Sequence, residues 1–224
     1  MLIAIEGIDG SGKGTQSQIL TQKLKELEIR VELFSFPSYK ETFFGHEVGR
    51  YLNGGYGSLE NVPVEFASLL YAGDRFEKKH LLLSALKDNG VAICDRYVPS
   101  NLAHQAAKLH ESNQQTSLIK WISTLEYEVY GLPMPDLVIL LDMPISKSNE
   151  LVLQKGKRNY TDKKLDIHES ALSYLSNVYS IYKELAKEEH WITIPCCNGD
   201  EVRSINEISN QIIDIVTSRI ELRT

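Results

Sequence analysis

Cysteine is scarce in this sequence. Its 224 residues include three, Cys94, Cys196 and Cys197. The number is odd, two are adjacent and no C-x-x-C spacing occurs, which argues against a disulfide framework and against a zinc site. Long hydrophobic runs are also missing. No apolar stretch approaches the ~20 residues needed to span a bilayer. The opening Met1-Leu2-Ile3-Ala4-Ile5-Glu6 lacks the basic region and long apolar core of a secretory signal, so a cytoplasmic protein with no membrane partner is expected. An excess of positive charge is absent too, the net charge being −6. That argues against a broad nucleic-acid-binding face, while leaving room for phosphate substrates held by a local cluster of Lys and Arg. Repeats and low-complexity tracts, which would signal solenoids or disorder, do not occur.

What remains is the composition of an ordinary globular protein, 42% hydrophobic and 24% charged, and a length that suits one domain, 1–224, with a small inserted lid. Short apolar runs read as strands over Leu2–Glu6, Val31–Phe36, Val91–Asp95, Leu137–Asp142 and Trp191–Ile194. Leu137–Asp142 is nearly all Leu, Val and Ile, the pattern of a central parallel strand buried on both faces. Between the strands, helical spacing appears in Leu20, Leu24 and Leu27, within a helix expected over Thr15–Leu27. It recurs in the stripe Leu172, Leu175, Tyr179, Tyr182, Ala186 and in the stripe Ile205, Ile208, Ile212, Val216, Ile220. Strands alternating with helices predict an α/β fold of three layers, with a five-stranded parallel sheet covered on both faces. Ligands then bind beyond the carboxyl ends of the strands, so Glu6 and Asp95 should face one crevice. The stretch Ser146–Ile167 holds Lys147, Lys155, Lys157, Arg158, Lys163 and Lys164 against Glu150, Asp162 and Asp166. It reads as a mobile basic lid between two helices, about 147–169.

Gly7-Ile8-Asp9-Gly10-Ser11-Gly12-Lys13 fits G-x-x-x-x-G-K after a strand and before a helix. Glycines let several backbone N–H groups point at one phosphate, and the helix N-terminus adds its positive dipole end. Lys13 adds a mobile charge. Gly14 stands where Ser or Thr is usual and Thr15 follows one place later, an ending similar to that of adenylate kinases. ATP would therefore sit on Gly7, Gly10, Ser11, Gly12, Lys13, Gly14 and Thr15. Direct ligation of Mg²⁺ by a hydroxyl is in question. No Asn-Lys-x-Asp motif occurs, which argues against a GTPase. After the third strand, Asp95 is placed to hold Mg²⁺ or its waters. Arg96 is placed to bridge two phosphates as charge shifts between them. By itself this dipeptide equally describes a strand-end ion pair.

Several segments together resemble the thymidylate kinase family. They are the acidic loop Gly7-Ile8-Asp9-Gly10, the turn Phe36-Pro37-Ser38-Tyr39, the helix segment Leu70-Tyr71-Ala72-Gly73-Asp74-Arg75-Phe76-Glu77, the run Asp95-Arg96-Tyr97-Val98-Pro99-Ser100-Asn101-Leu102-Ala103-His104, and Asp166-Ile167-His168-Glu169. The resemblance implies a P-loop kinase that passes a phosphoryl group from ATP to dTMP with Mg²⁺, usually as a homodimer, for which Glu65–Leu86 would supply a helical interface. It implies stacking of Tyr71 on thymine, donation from Arg75 to a thymine carbonyl, and Asn101 at the opposite base edge. Phe36 and Tyr39 would line the dTMP pocket with Ser100 and Arg96. Asp9 would lie near the sugar, phosphate and metal, and Glu169 would serve the sugar and metal region. The metal candidates are Asp9, Asp95 and Thr15. His104 stands where relatives carry Tyr or Phe beside the deoxyribose. Since the loop contains no arginine, the catalytic cations are expected to be Lys13, Arg96 and, from the lid, Arg158, with Asp9 beside them. Without the resemblance, Tyr71 reads as a core aromatic, His104 as a polar helix residue and Arg158 as part of a solvated loop. Two alternatives stand beside this reading: a kinase for UMP, CMP or AMP, and a P-loop protein that binds nucleotide without turnover.

Overall fold

The computed structural model describes residues 1–59, 61–154 and 168–222, with the side chains of 153, 154 and 168–171 excepted. A five-stranded parallel sheet forms its centre, in the order β2-β3-β1-β4-β5. The strands are β1 Leu2–Glu6, β2 Val31–Ser35, β3 Val91–Asp95, β4 Leu137–Asp142 and β5 Trp191–Pro195. Each falls within one residue of the expected bounds. A two-stranded antiparallel ribbon, β6 Cys197–Asn198 and β7 Glu201–Val202, was not expected. It is too short to leave a period-2 signal.

Alternation along the strands builds two cores. Leu2, Ala4, Ala92, Cys94, Val138 and Leu140 face one layer of helices, among whose buried residues are Leu82, Leu102, Ile122, Val178 and Tyr182. Ile3, Ile5, Ile93, Leu137, Ile139 and Leu141 face the other, where Leu20, Leu24, Ile208, Ile212 and Val216 pack. Successive strand side chains point to opposite faces, so a strand apolar at every position needs helices on both sides. Each fully buried aliphatic side chain contributes about 1.5–3 kcal/mol.

The helices are α1 Lys13–Glu26, α2 Phe43–Leu52, α3 Val64–Ala85, α4 Val98–Ala106, α5 Ser112–Ser123, α6 Ile145–Gln154, α7 His168–Leu185 and α8 Ile205–Glu221. A π-helical segment, Thr124–Val129, continues directly from α5. Helix α1 starts at Lys13 rather than Thr15, because Gly12 in the left-handed conformation serves as its cap. A reciprocal capping box starts α8: Ser204 Oγ accepts from Glu207 N, and Glu207 accepts from Ser204 N. The expected stripes hold from their centres to their C-terminal ends, where Ala186 and Ile220 pack against the cores, and fail at their first residues. Leu172 and Ile205 are exposed, while Val178 and Ile181 are buried beside Tyr182. The lid assignment overlaps α6, which runs to Gln154. It also overlaps the start of α7 at His168, and the stretch between, 155–167, lies outside the described residues. No helix among the described residues is long and apolar enough to cross a membrane.

Candidate active site

Strand register brings the site together. Ile5 pairs with Asp95 on one side of β1, and Glu6 pairs with Leu140 on the other. The loops after β1 and β3 therefore leave the sheet side by side at its carboxyl edge, where open α/β sheets bind ligands.

The loop after β1 needs its glycines. Gly7, Gly10 and Gly12 all have positive φ, at 143°, 81° and 92°. A Cβ on Gly10 would stand 2.6 Å from the Ser148 carbonyl oxygen of α6. Ser148 Oγ donates to the Asp9 carbonyl, tying the loop to that helix. At Gly14, the position where the loop departs from the common signature, a Cβ would stand 3.0 Å from Asp95 Oδ2. A Ser or Thr there would crowd the carboxylate, so Gly14 makes room for Asp95. Lys13 is buried and its Nζ donates to the Ile8 carbonyl at 2.8 Å. Burial, and then the nearby Arg96 charge, lower its pKa to about 8. Ser11 Oγ is buried without a hydrogen-bond partner, the orphaned donor expected of an anion cradle.

Arg96 has φ 66° and reaches three acceptors. Its Nη2 donates to Asp9 Oδ1 at 2.5 Å, and its Nη1 to Ser100 Oγ at 2.9 Å and His104 Nε2 at 3.2 Å. Burial favours the neutral form of Arg96, yet Asp9, Tyr182 and Glu6 hold its pKa above the ordinary arginine range. Arginine can only donate, so His104 Nε2 accepts and Nδ1 carries the proton. Nδ1 lies 3.0 Å from Tyr174 Oη, which donates in turn to the His104 carbonyl at 3.1 Å. Burial, and then the Arg96 charge, push the imidazole pKa down to about 3, so it is neutral.

Glu6 underlies this group. Fully buried, it accepts from Tyr97 N at 2.7 Å, Ser100 Oγ at 2.6 Å and Tyr182 Oη at 2.8 Å. Its pKa is raised by burial, with the hydrogen bond from Ser100 opposing. Asp95 is likewise raised by burial, while Lys13 and Arg96 pull it down. Among the described residues no three His, Cys, Asp or Glu side chains form a ready-made metal cage. Asp95 beside Gly14, with Thr15 next in the chain, still fits Mg²⁺. That ion takes one or two carboxylates and fills the rest of its shell with water and phosphate oxygens. Asp9 is engaged by Arg96.

A second group lies on α3, α4 and the π-helical segment. Arg75 and Glu126 are buried and form a bidentate pair, Nε to Oε2 at 2.5 Å and Nη2 to Oε1 at 2.6 Å. Asn101 Nδ2 donates to Glu126 Oε1 at 2.8 Å and to the Ser68 carbonyl at 3.1 Å. Its Oδ1 is buried with no partner. Tyr39 and Tyr71 are partly buried against one small cluster that includes Tyr51 and Leu70. Phe36, which precedes a cis proline, packs against Tyr97 with ring centroids 6.2 Å apart. Asp74 fastens this turn to α3 by accepting from Ser38 N at 2.8 Å and from Thr42 Oγ1.

The structure thus brings Asp9, Lys13, Asp95, Arg96, Ser100 and His104 to one edge of the sheet, with Arg75 and Asn101 on the helices behind it. Arg158 and the Glu169 side chain lie outside the described residues. Sequence reasoning missed Glu126, Tyr174 and Ser148, whose contacts are with other groups of the protein: Arg75 and Asn101, His104, and the Asp9 carbonyl. For Glu126 the one visible sign is an acid set between Leu125 and Tyr127. Its π-helical setting leaves no periodic mark.

A glycine-lined anion loop, a buried lysine and an arginine on its own carboxylate define a P-loop phosphotransferase. The buried network of Arg75, Glu126 and Asn101 stands apart from that loop, on α3, α4 and the π-helical segment. The family model for thymidylate kinase matches residues 5–212. Thymidylate kinase from Mycobacterium tuberculosis is 31% identical over 188 residues, covering 84% of this chain and 86% of that protein. That from Schizosaccharomyces pombe is 30% identical, covering 97% and 91%. The solved structure of thymidylate kinase from Candida albicans superposes with a TM-score of 0.73 at 24% identity, over 97% of this chain and 91% of that one, which bears on the fold. The chain belongs to the thymidylate kinase family. It is a kinase, and the family reaction is phosphorylation of dTMP to dTDP with ATP.

Proposed function

We propose that this chain phosphorylates dTMP by direct in-line transfer from ATP, as one kinase domain over 1–224 with the lid near 147–169. The observation that carries the substrate assignment is the buried pair of opposite polarity, Arg75 as donor and Asn101 Oδ1 as unpartnered acceptor. Thymine presents a carbonyl and an N3–H side by side, and these match. Cytosine presents an amino group and a bare N3, which would oppose both. Tyr71 stacks on the base, Phe36 and Tyr39 close the pocket, and His104 stands beside the sugar.

The dTMP phosphate is already an anion, so attack on the γ-phosphoryl group needs no strong general base. ATP phosphates draw Lys13 from the Ile8 carbonyl and seat on the loop N–H groups of Gly7–Thr15. Arg96 leaves Asp9 to bridge the two nucleotides, with Ser100 steadying its second arm. Arg158 supplies a further charge from the lid, and Glu169 serves the sugar region. Asp95 and Thr15 would hold Mg²⁺, which neutralises charge on the phosphates when bound. Lid closure excludes water, which would otherwise hydrolyse ATP.

Initial rates with ATP and each of dTMP, dUMP, UMP, CMP and AMP test this reading. dTMP should lead, with dUMP next; a preference for CMP or AMP would overturn it, and binding without turnover would overturn catalysis. Exposed Phe66, Phe76, Leu81 and Leu83 on α3 support a homodimer formed through that helix. Sedimentation should give twice the 25.4 kDa chain mass.

A further inference from the structure

Among the described residues, Glu126 is the one carboxylate hydrogen-bonded to both groups assigned to base reading, and it is fully buried. It sits on the π-helical segment Thr124–Val129, where Tyr130 N–H donates to the Leu125 carbonyl five residues back at 2.8 Å. Such widened turns recur at functional sites. Three donors meet its two oxygens. Oε2 takes Arg75 Nε, while Oε1 takes Arg75 Nη2 and Asn101 Nδ2. The guanidinium is thereby held by one edge of its fork, and Nη1 is not engaged by Glu126. On Asn101 the effect is directional. Both acceptors of Nδ2, the Glu126 carboxylate and the Ser68 carbonyl, are groups that cannot donate. A flipped amide would set its oxygen against both. The Asn101 carbonyl oxygen is therefore the end left for a ligand, and it is the end with no partner.

We propose that Glu126 is a positioning residue for substrate choice: it fixes Arg75 as the donor and Asn101 as the acceptor, and so selects an N3-protonated pyrimidine base. The proposal rests on the base-reading roles given above to Arg75 and Asn101. Glu126 itself need not touch substrate. A neutral amide at 126 would bring an NH₂ group against donors that now meet a carboxylate. One relief is rotation of Asn101, which turns its donor outward and reverses the preference between thymine and cytosine at that edge.

The experiment measures kcat and KM for dTMP and for dCMP, at saturating ATP, in wild type, Glu126→Gln, Glu126→Asp, Arg75→Lys and Asn101→Ala. Thermal melting confirms that each variant is folded. In Glu126→Gln, KM for dTMP should rise ~30–100-fold, kcat at saturation should stay within ~3-fold, and the dTMP/dCMP ratio of kcat/KM should narrow at least tenfold. The rise in KM corresponds to about 2–3 kcal/mol, the cost of one misplaced buried hydrogen bond. Glu126→Asp keeps the charge on a shorter stem and should fall between. An unchanged ratio in Glu126→Gln and Glu126→Asp, while Arg75→Lys and Asn101→Ala narrow it, would overturn the proposal and leave base reading intact. If Glu126→Gln does not fold, Glu126→Asp decides by the same ratio. If Arg75→Lys and Asn101→Ala also leave the ratio unchanged, the base-reading assignment fails and the proposal fails with it.

Discussion

The phosphate end and the base end of this site are built in opposite ways. At the phosphate end the cations rest on acceptors of the protein itself: Lys13 on the Ile8 carbonyl, Arg96 on Asp9, Ser100 and His104. Each contact is one that a phosphate oxygen can replace. At the base end, Arg75, Glu126 and Asn101 form a closed network, buried throughout, with one acceptor left over. Nothing there needs to be exchanged for binding. Under the proposed function, the difference would assign rate to groups that move from protein to substrate, and choice of base to groups that stay put. Preorganised dipoles discriminate because they cannot adjust to the wrong partner, whereas a transferable cation follows charge wherever it develops.

The largest expected effect comes from removing a mobile cation. Arg96→Ala should lower kcat by about 10²–10³-fold, with KM for dTMP changed much less; near-normal steady-state turnover would remove Arg96 from the reaction. Next comes the loop geometry at the phosphate end. Gly10→Ala forces a side chain at φ 81° to within 2.6 Å of the Ser148 carbonyl. It should cost about 1–3 kcal/mol in chemical denaturation, and an unchanged midpoint would mean that the loop and α6 shift freely.

A pH effect separates the ends further. Lys13 titrates at about 8 in the free protein, so kcat/KM for ATP should fall as pH rises through 8. Bound phosphates restore the proton, so kcat at saturating ATP should hold to higher pH. Parallel declines in both profiles would place the titration elsewhere. The smallest effect belongs to His104. Its imidazole stays neutral to about 3 in the fold but protonates near ~6.5 when unfolded. The native state then binds fewer protons than the unfolded chain across this window, so stability falls as pH drops from ~6.5 toward 3. His104→Phe should flatten that slope. By removing one hydrogen bond from Arg96, at about 0.5–1.5 kcal/mol, it should also lower kcat by ~2–10-fold.

Much of the phosphate end was legible because it is written in consecutive residues. A strand, a glycine loop and a lysine occupy 2–13, and Asp95 and Arg96 stand at the end of β3, the strand beside β1 in the sheet. The five strands were legible because a strand buried on both faces must be apolar at every position. The base end was legible only in part. Arg75 and Asn101 emerged through family resemblance, and Glu126 did not emerge at all. Its partner Arg75 lies 51 residues away and its setting is a π turn, so neither periodicity nor spacing marks it. Helix-end exposure at Leu172 and Ile205 was misjudged because a stripe does not say where its helix leaves the core.

The division of labour between the two ends is tested most directly by the dTMP/dCMP ratio of kcat/KM in Arg96→Ala beside Arg75→Lys. Arg96→Ala should lose rate on both nucleotides and keep the ratio within about twofold. Arg75→Lys retains the charge but gives up the planar fork, and should keep much of kcat while the ratio collapses by tenfold or more. A ratio that falls in Arg96→Ala, or survives in Arg75→Lys, would contradict the assignment of base choice to Arg75, Glu126 and Asn101.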